Sequence, residues 1–226
     1  MLRKKSAINL LFDLDGTLTD PASGITGSIQ YALQKLGKPV PAADDLLWCI
    51  GPPLLESFIK MLDTDCDKAE TALSLYREHY NAQGKFENEI YAGIPKTLQE
   101  LIERGFNLFV ATSKPRVFAN DILVHFNLLQ FFRGIYGSEF DGALVDKGEL
   151  IAYILLKETI SAKNTIIVGD RSYDILGAKK HGIYSVGVTY GYGTKEELMG
   201  SGADYIIDSP EKIIEVVKNS GHYRTR

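Results

Sequence analysis

Short apolar runs rich in β-branched and aromatic residues recur along the chain: INLLF (8–12), FNLFVAT (106–112), GIYGS (134–138), TIIVGD (165–170), YSVGVTY (184–190) and DYIID (204–208). Each has the length of a buried strand, and between most of them lie stretches with helical spacing. After Pro95, which suits a first helical turn, Leu98, Leu101 and Ile102 make an apolar stripe that Gly105 can end. Thr194 with Glu197 fits a capping box, and Ser209-Pro210 precedes an amphipathic helix through Ile213, Ile214 and Val217. The alternation predicts an α/β fold with a mostly parallel sheet covered by helices on both faces.

One region breaks the alternation. From about residue 21 to 89 no strand pattern occurs, but Ile25, Ile29, Ala32, Leu33 and Leu36, followed by Gly37, define one helix. Ala69, Leu73, Tyr76 and Tyr80 define another over 67–83. The expected organisation is a core of residues 1–19 and 90–226 with a small all-α cap, 20–89, inserted after the first strand. GKFENEIYAG (84–93) is the return linker. In open α/β sheets the site lies beyond the carboxyl ends of the strands, where Asp13, Thr112 and Asp170 fall. The insert begins close by and can serve as a lid.

At 226 residues the chain is long enough for one sizeable core with such an insert. A formal net charge of -4 argues against nucleic-acid and anionic-membrane surfaces, so an anionic substrate needs local cations or a metal. Cys49 and Cys66 match no metal or redox spacing, which favours a reducing compartment. Basic residues precede the first apolar run, but the run meets Asp13 too soon for a signal peptide. No stretch approaches membrane-spanning length. A cytoplasmic protein, monomeric or weakly dimeric, is expected.

The chemistry concentrates in FDLDGT (12–17). Asp13 and Asp15 are two residues apart at a strand end and project to roughly the same side if strand geometry persists. Two such carboxylates repel unless a cation intervenes, and a hard divalent ion such as Mg²⁺ resolves the conflict. Gly16 permits a sharp turn and Thr17 adds a hydroxyl.

DxDGT at Asp13, Asp15, Gly16 and Thr17 is followed by Thr112 in LFVATSKP, Lys147 in LVDKGEL, and Gly169, Asp170 and Asp174 in IIVGDRSYD. This ordered set spans nearly the whole chain and resembles the phosphatase branch of the haloacid dehalogenase superfamily, whose Rossmann-like fold carries a C1-type cap between the first two motifs. The resemblance implies that Asp13 attacks phosphorus to form an aspartyl-phosphate and that Asp15 acts as general acid, then general base. Mg²⁺ would bind the side chains of Asp13 and Asp170 and the backbone carbonyl of Asp15, with Asp174 at its edge or holding a metal-bound water. Gly16, Thr17, Thr112, Ser113 and Lys147 would hold the phosphoryl oxygens. Lys114 is the rival for the role of Lys147. Arg171 either reaches substrate or sits on the surface.

In CIGPPLLESF (49–58), Gly51 and Pro52 either line the pocket, as in phosphoglycolate phosphatase-like members, or merely turn the chain. Tyr31, Trp48, Phe58, Tyr76, Tyr80, Phe86 and Tyr91 either stack a nucleobase or form the core of the helical module. Lys60, Arg77 and Lys85 are spaced as on a solvated face, and Asp20 is placed to cap a helix or the hinge. The expected activity is hydrolysis of small phosphorylated metabolites, resembling phosphoglycolate phosphatase or a 5'-nucleotidase. A sugar phosphomutase of the same superfamily is the alternative. A phospho-accepting signalling module or a metabolite-binding protein is the non-enzymatic one.

Overall fold

In the computed structural model, which describes residues 8–63 and 65–219, all six expected runs are strands of one sheet. They are β1 (Asn9–Phe12), β4 (Asn107–Pro115), β5 (Gly134–Ser138), β6 (Thr165–Gly169), β7 (Tyr184–Val188) and β8 (Tyr205–Ile207). The order is β5-β4-β1-β6-β7-β8 and every pairing is parallel. The basic residues at the start of the chain lie outside the described residues.

Alternation along each strand divides the core in two. Leu10, Phe12, Leu108, Val110, Ile166 and Val168 face one apolar layer with helices α4 (Ile94–Glu103) and α9 (Lys212–Asn219). Leu11, Phe109, Ala111 and Ile167 face the other, with α6 (Lys147–Lys157) and α7 (Ser172–His181). The predicted α4 stripe is corrected in one detail. Ile94 and Thr97 join Leu98 and Leu101 in burial, whereas Ile102 lies on the outer side of the last turn, 37% exposed. In α8 (Lys195–Ser201) Thr194 accepts from the Glu197 N–H, but the Glu197 carboxylate turns away from the cap toward Arg171.

The helical insert comprises α1 (Ala22–Lys35), a 3₁₀ turn (Ala43–Cys49), α2 (Leu54–Leu62) and α3 (Cys66–Ala82) around a cluster of its own. Phe58, Tyr76 and Tyr80 are fully buried there, the last two stacked at 5.3 Å. Phe118 of the core helix α5 (Arg116–His125) closes this cluster. The chain enters and leaves the insert through two short strands missing from the sequence reading, β2 (Thr19–Asp20) and β3 (Glu89–Ile90), paired antiparallel. Beside them the Gly24 N–H donates to the carbonyl of Glu87 at 2.9 Å, and a side chain at Gly24 would overlap the Gly84 carbonyl. Among the described residues no helix is long and apolar enough to cross a membrane.

Candidate active site

Three neighbouring strands, β4, β1 and β6, end together. β1 delivers Asp13, whose N–H donates to the carbonyl of Val168 at 2.9 Å and extends the pairing by one residue. The chain then coils tightly, the Leu14 carbonyl accepting from the N–H groups of Thr17, Leu18 and Thr19. Gly16 has φ +82°, and a side chain there would collide with the Asp170 carboxylate. Glycine thus lets the loop press directly onto Asp170.

The two carboxylates of the DxD pair take different partners. Lys147, in the first turn of α6, donates to Asp13 Oδ1 (3.0 Å) and to the carbonyl of Ala111 (2.8 Å). Its Nζ also lies 2.9 Å from Asp174 Oδ1, an ion pair without hydrogen-bond geometry. Lys114 pairs instead with Asp15 Oδ2 at 2.8 Å. The rivalry between the two lysines is thereby resolved into separate positions. Burial works against the Lys147 ammonium, but the charges of Asp13 and Asp174 outweigh it and keep the amine protonated. Burial pushes the Asp15 carboxyl above its ordinary value, and Lys114 opposes the shift.

Asp13, Asp170 and Asp174 each offer a carboxylate oxygen within 4.8 Å of the others, and all three are buried. Asp170 Oδ2 accepts from the Tyr192 N–H at 2.8 Å, while Oδ1 has no hydrogen-bond partner. Burial first, then the charges of Asp13 and Asp174, push the Asp170 carboxyl well above the usual range. An all-oxygen donor set with an unpartnered buried carboxylate oxygen and excess negative charge fits a hard divalent cation such as Mg²⁺. The Asp15 side chain is outside this cluster, paired with its lysine.

Above these groups a cavity of about 680 Å³ opens between the sheet end and the insert. Asp13, Asp15, Thr112, Ser113, Lys114 and Lys147 line its floor. β4 shifts register between Ala111 and Pro115, which turns Thr112 and Ser113 out of the regular pleat at this point. Thr112 Oγ1 accepts from the Lys114 N–H at 3.2 Å. Gly16 and Thr17 do not reach the cavity wall. Thr17 is fully buried within the coil after β1, so both residues shape the loop rather than line the floor.

From the insert, Gly51, Pro52, Tyr76 and Tyr80 line the roof. Gly51 takes φ +105°, and its missing side chain leaves room for the stem of Arg171. Arg171 donates from NH1 to the carbonyl of Ile50, and its Nε pairs with Glu197 at 3.1 Å. It lines the cavity, as the substrate-reaching alternative requires, and it also joins core to insert. Asp20 serves the hinge, the second of its two expected places: it precedes the N-cap position, Pro21, its Oδ1 accepts from the Ala22 N–H at 3.1 Å, and it also accepts from the Tyr192 hydroxyl. Tyr192 therefore touches the hinge with its side chain and Asp170 with its backbone. No local pattern announced it.

The solvated face expected for Lys60, Arg77 and Lys85 holds for Lys60, which is exposed and lies over the Trp48 ring, and is corrected for the other two. Lys85 is buried beneath aromatic rings and paired with Asp121 at 2.7 Å. Arg77 lines the cavity. Of the seven insert and linker aromatics, only Tyr76 and Tyr80 reach the cavity, and Trp48 and Phe86 are exposed elsewhere.

The family described as haloacid dehalogenase-like hydrolase matches residues 10–188. A protein named 5'-nucleotidase from Pseudomonas aeruginosa is 47% identical over 190 residues, 84% of this chain and 86% of that one. Tyrosine-protein kinase PtkA from Mycobacterium tuberculosis is 41% identical over 184 residues, 81% of this chain but 62% of its own length. The crystal structure of a predicted phosphatase from Clostridium acetobutylicum superposes with a TM-score of 0.91 at 43% identity, covering 95% of this chain and all of that one.

Proposed function

We propose that this chain, which belongs to the haloacid dehalogenase-like hydrolase family, is a Mg²⁺-dependent phosphatase of small metabolites, acting on nucleoside 5'-monophosphates in preference to phosphoglycolate. The observation that carries the reading is the Lys147 ammonium 3.0 Å from Asp13 Oδ1 and 2.9 Å from Asp174, beside an acidic cluster at the cavity floor. A surface lysine has no reason to be buried there.

In this reading Asp13 attacks phosphorus, the bond from phosphorus to the leaving oxygen breaks, and Asp15 supplies the proton that oxygen needs. Water then attacks the aspartyl-phosphate, giving its proton to Asp15 and releasing inorganic phosphate. Lys147, Thr112 and Ser113 supply donors to the phosphoryl oxygens from one wall. Asp13, Asp170 and the backbone carbonyl of Asp15 would hold Mg²⁺, with Asp174 at its edge. The ion, when bound, neutralises charge on the transferring group.

The preference for nucleotides rests on the relative named 5'-nucleotidase and on a cavity far larger than a two-carbon acid fills. Residues 20–89 act as the cap and 1–19 with 90–226 as the catalytic core. The two free cysteines fit a reducing, cytoplasmic setting.

The test is a panel of nucleoside monophosphates, sugar phosphates, phosphoglycolate and phosphotyrosine with Mg²⁺, read as released phosphate. Covalent phosphoenzyme is trapped in parallel. Turnover with a phosphoenzyme that disappears in Asp13→Asn is expected. Undiminished activity in EDTA, or an isomerised sugar phosphate without free phosphate, overturns the reading, the latter in favour of a mutase.

A further inference from the structure

The cavity does not stop at the reacting carboxylates. Its wall follows one face of α3 from Tyr80 back through Arg77, Ser74 and Leu73 to Glu70. At 1.5 Å per residue this slot is about 15 Å long. Tyr80 marks the inner end, where its hydroxyl accepts from Lys114, the partner of Asp15. Arg77 lies one helical turn from it.

At Arg77 the two sides of the cavity meet. Its guanidinium sits 5.0 Å from the ring centre of Phe140, in the loop after β5, and NH1 donates to the Phe140 carbonyl at 3.4 Å. Among the described residues no carboxylate pairs with Arg77. Phe140 is 46% exposed, resting edge-on against Phe118. Glu56, Glu70 and Asp141 also line the cavity.

A guanidinium with unused N–H donors, acceptor carboxylates and an accessible flat ring match a planar neutral heterocycle that offers both acceptors and donors. Arg171 and Glu139 also line the cavity but are paired with Glu197 and Arg116, so Glu56, Glu70 and Asp141 outnumber the uncommitted Arg77 and oppose a second anionic group. We propose that Arg77 and Phe140 form a clasp that selects phosphomonoesters whose leaving group carries a nucleobase. The aromatic selectivity thus resides on the core loop, since the buried Tyr76–Tyr80 stack offers the base no free face between its rings. This inference deepens the phosphatase reading and rests on it for the position of the phosphate.

The test compares Phe140→Ala and Arg77→Met with the parent enzyme on adenosine and uridine 5'-monophosphates and on ribose 5-phosphate. The ratio of kcat/KM for nucleotide over ribose 5-phosphate is expected to fall about 10- to 100-fold, carried by KM. An unchanged ratio overturns the clasp. Binding of the same nucleotides to Asp13→Asn protein and to its Arg77→Met derivative, measured by calorimetry, decides the matter without turnover. Equal affinities there refute the clasp, whereas a clasp-dependent affinity alongside a parent enzyme that releases no phosphate from any member of the panel refutes only the phosphatase reading.

Discussion

Lys114 Nζ lies 2.8 Å from Asp15 Oδ2 and 4.5 Å from the centre of the Tyr80 ring, so one cation from β4 binds the proposed proton carrier and the insert together. Neither partner is near it in sequence. The pairing gives Asp15 an electrostatic counterweight to its burial, and its removal has a defined sign.

In Lys114→Met the Asp15 carboxyl loses the charge that lowers its pKa and stays protonated to higher pH. Its acid role survives and its base role suffers. Hydrolysis of the phosphoenzyme at pH 7 is expected to slow about 10- to 100-fold, with its pH dependence displaced upward and its formation less affected. Single-turnover kinetics separate the two steps, and Lys114→Arg is expected to restore part of the loss. Equal slowing of both steps would contradict the assignment.

Lys147 is 4% exposed at its side chain and offsets the charge of Asp13 and Asp174. Lys147→Met leaves that charge uncompensated and is expected to cost about 3–5 kcal/mol. In a chain of this size that is a fall of roughly 6–20 °C in Tm, measured by calorimetry in EDTA. A loss under about 1 kcal/mol would show that the carboxylates do not depend on the lysine.

Asp170→Asn is expected to act in the opposite direction in EDTA. A carboxyl whose folded pKa is raised costs nothing below its unfolded value near 3.8, and the cost grows as pH rises toward the folded pKa. The variant should therefore be more stable than the parent, by about 1–3 kcal/mol, with a larger margin at pH 8 than at pH 5. Mg²⁺ should raise the Tm of the parent and barely affect that of the variant. Equal Mg²⁺ responses would remove Asp170 from the ion site.

Burial pushes the Cys49 thiol up to about 11, whereas Cys66 is exposed at the start of α3. At pH 8 a thiol reagent should titrate one equivalent rapidly in the native protein, and the second at least about 100-fold more slowly until denaturant is added. Cys66→Ser should abolish the fast phase.

The core was legible because its signals are local. A buried parallel strand is a short apolar run, and six such runs became six paired strands. Asp13, Thr112 and Asp170 sit at strand ends, positions that periodicity can locate, whereas Lys147 and Asp174, in the first turns of helices, were singled out only by the family resemblance and converge with the others in space. Arg77 and Phe140 were illegible for the opposite reason. They are 63 residues apart, and each alone has the pattern of an ordinary surface residue. The destinations of Arg171 and Lys114 were hidden in the same way, since a charged side chain chooses partners only after the backbone has brought them near. The hinge strands, two residues each, fall below the length at which alternation can be recognised.

That pair has a consequence for descent. Thr19 pairs with Ile90 and Asp20 with Glu89, so the points where the chain departs and returns are neighbours at strand spacing, about 4.8 Å. A short turn would suffice to join them with every central strand still in register. The sheet and its carboxylates can therefore be inherited intact while the intervening helices are exchanged, lengthened or deleted, which makes new leaving groups accessible without altering the machinery that cleaves them.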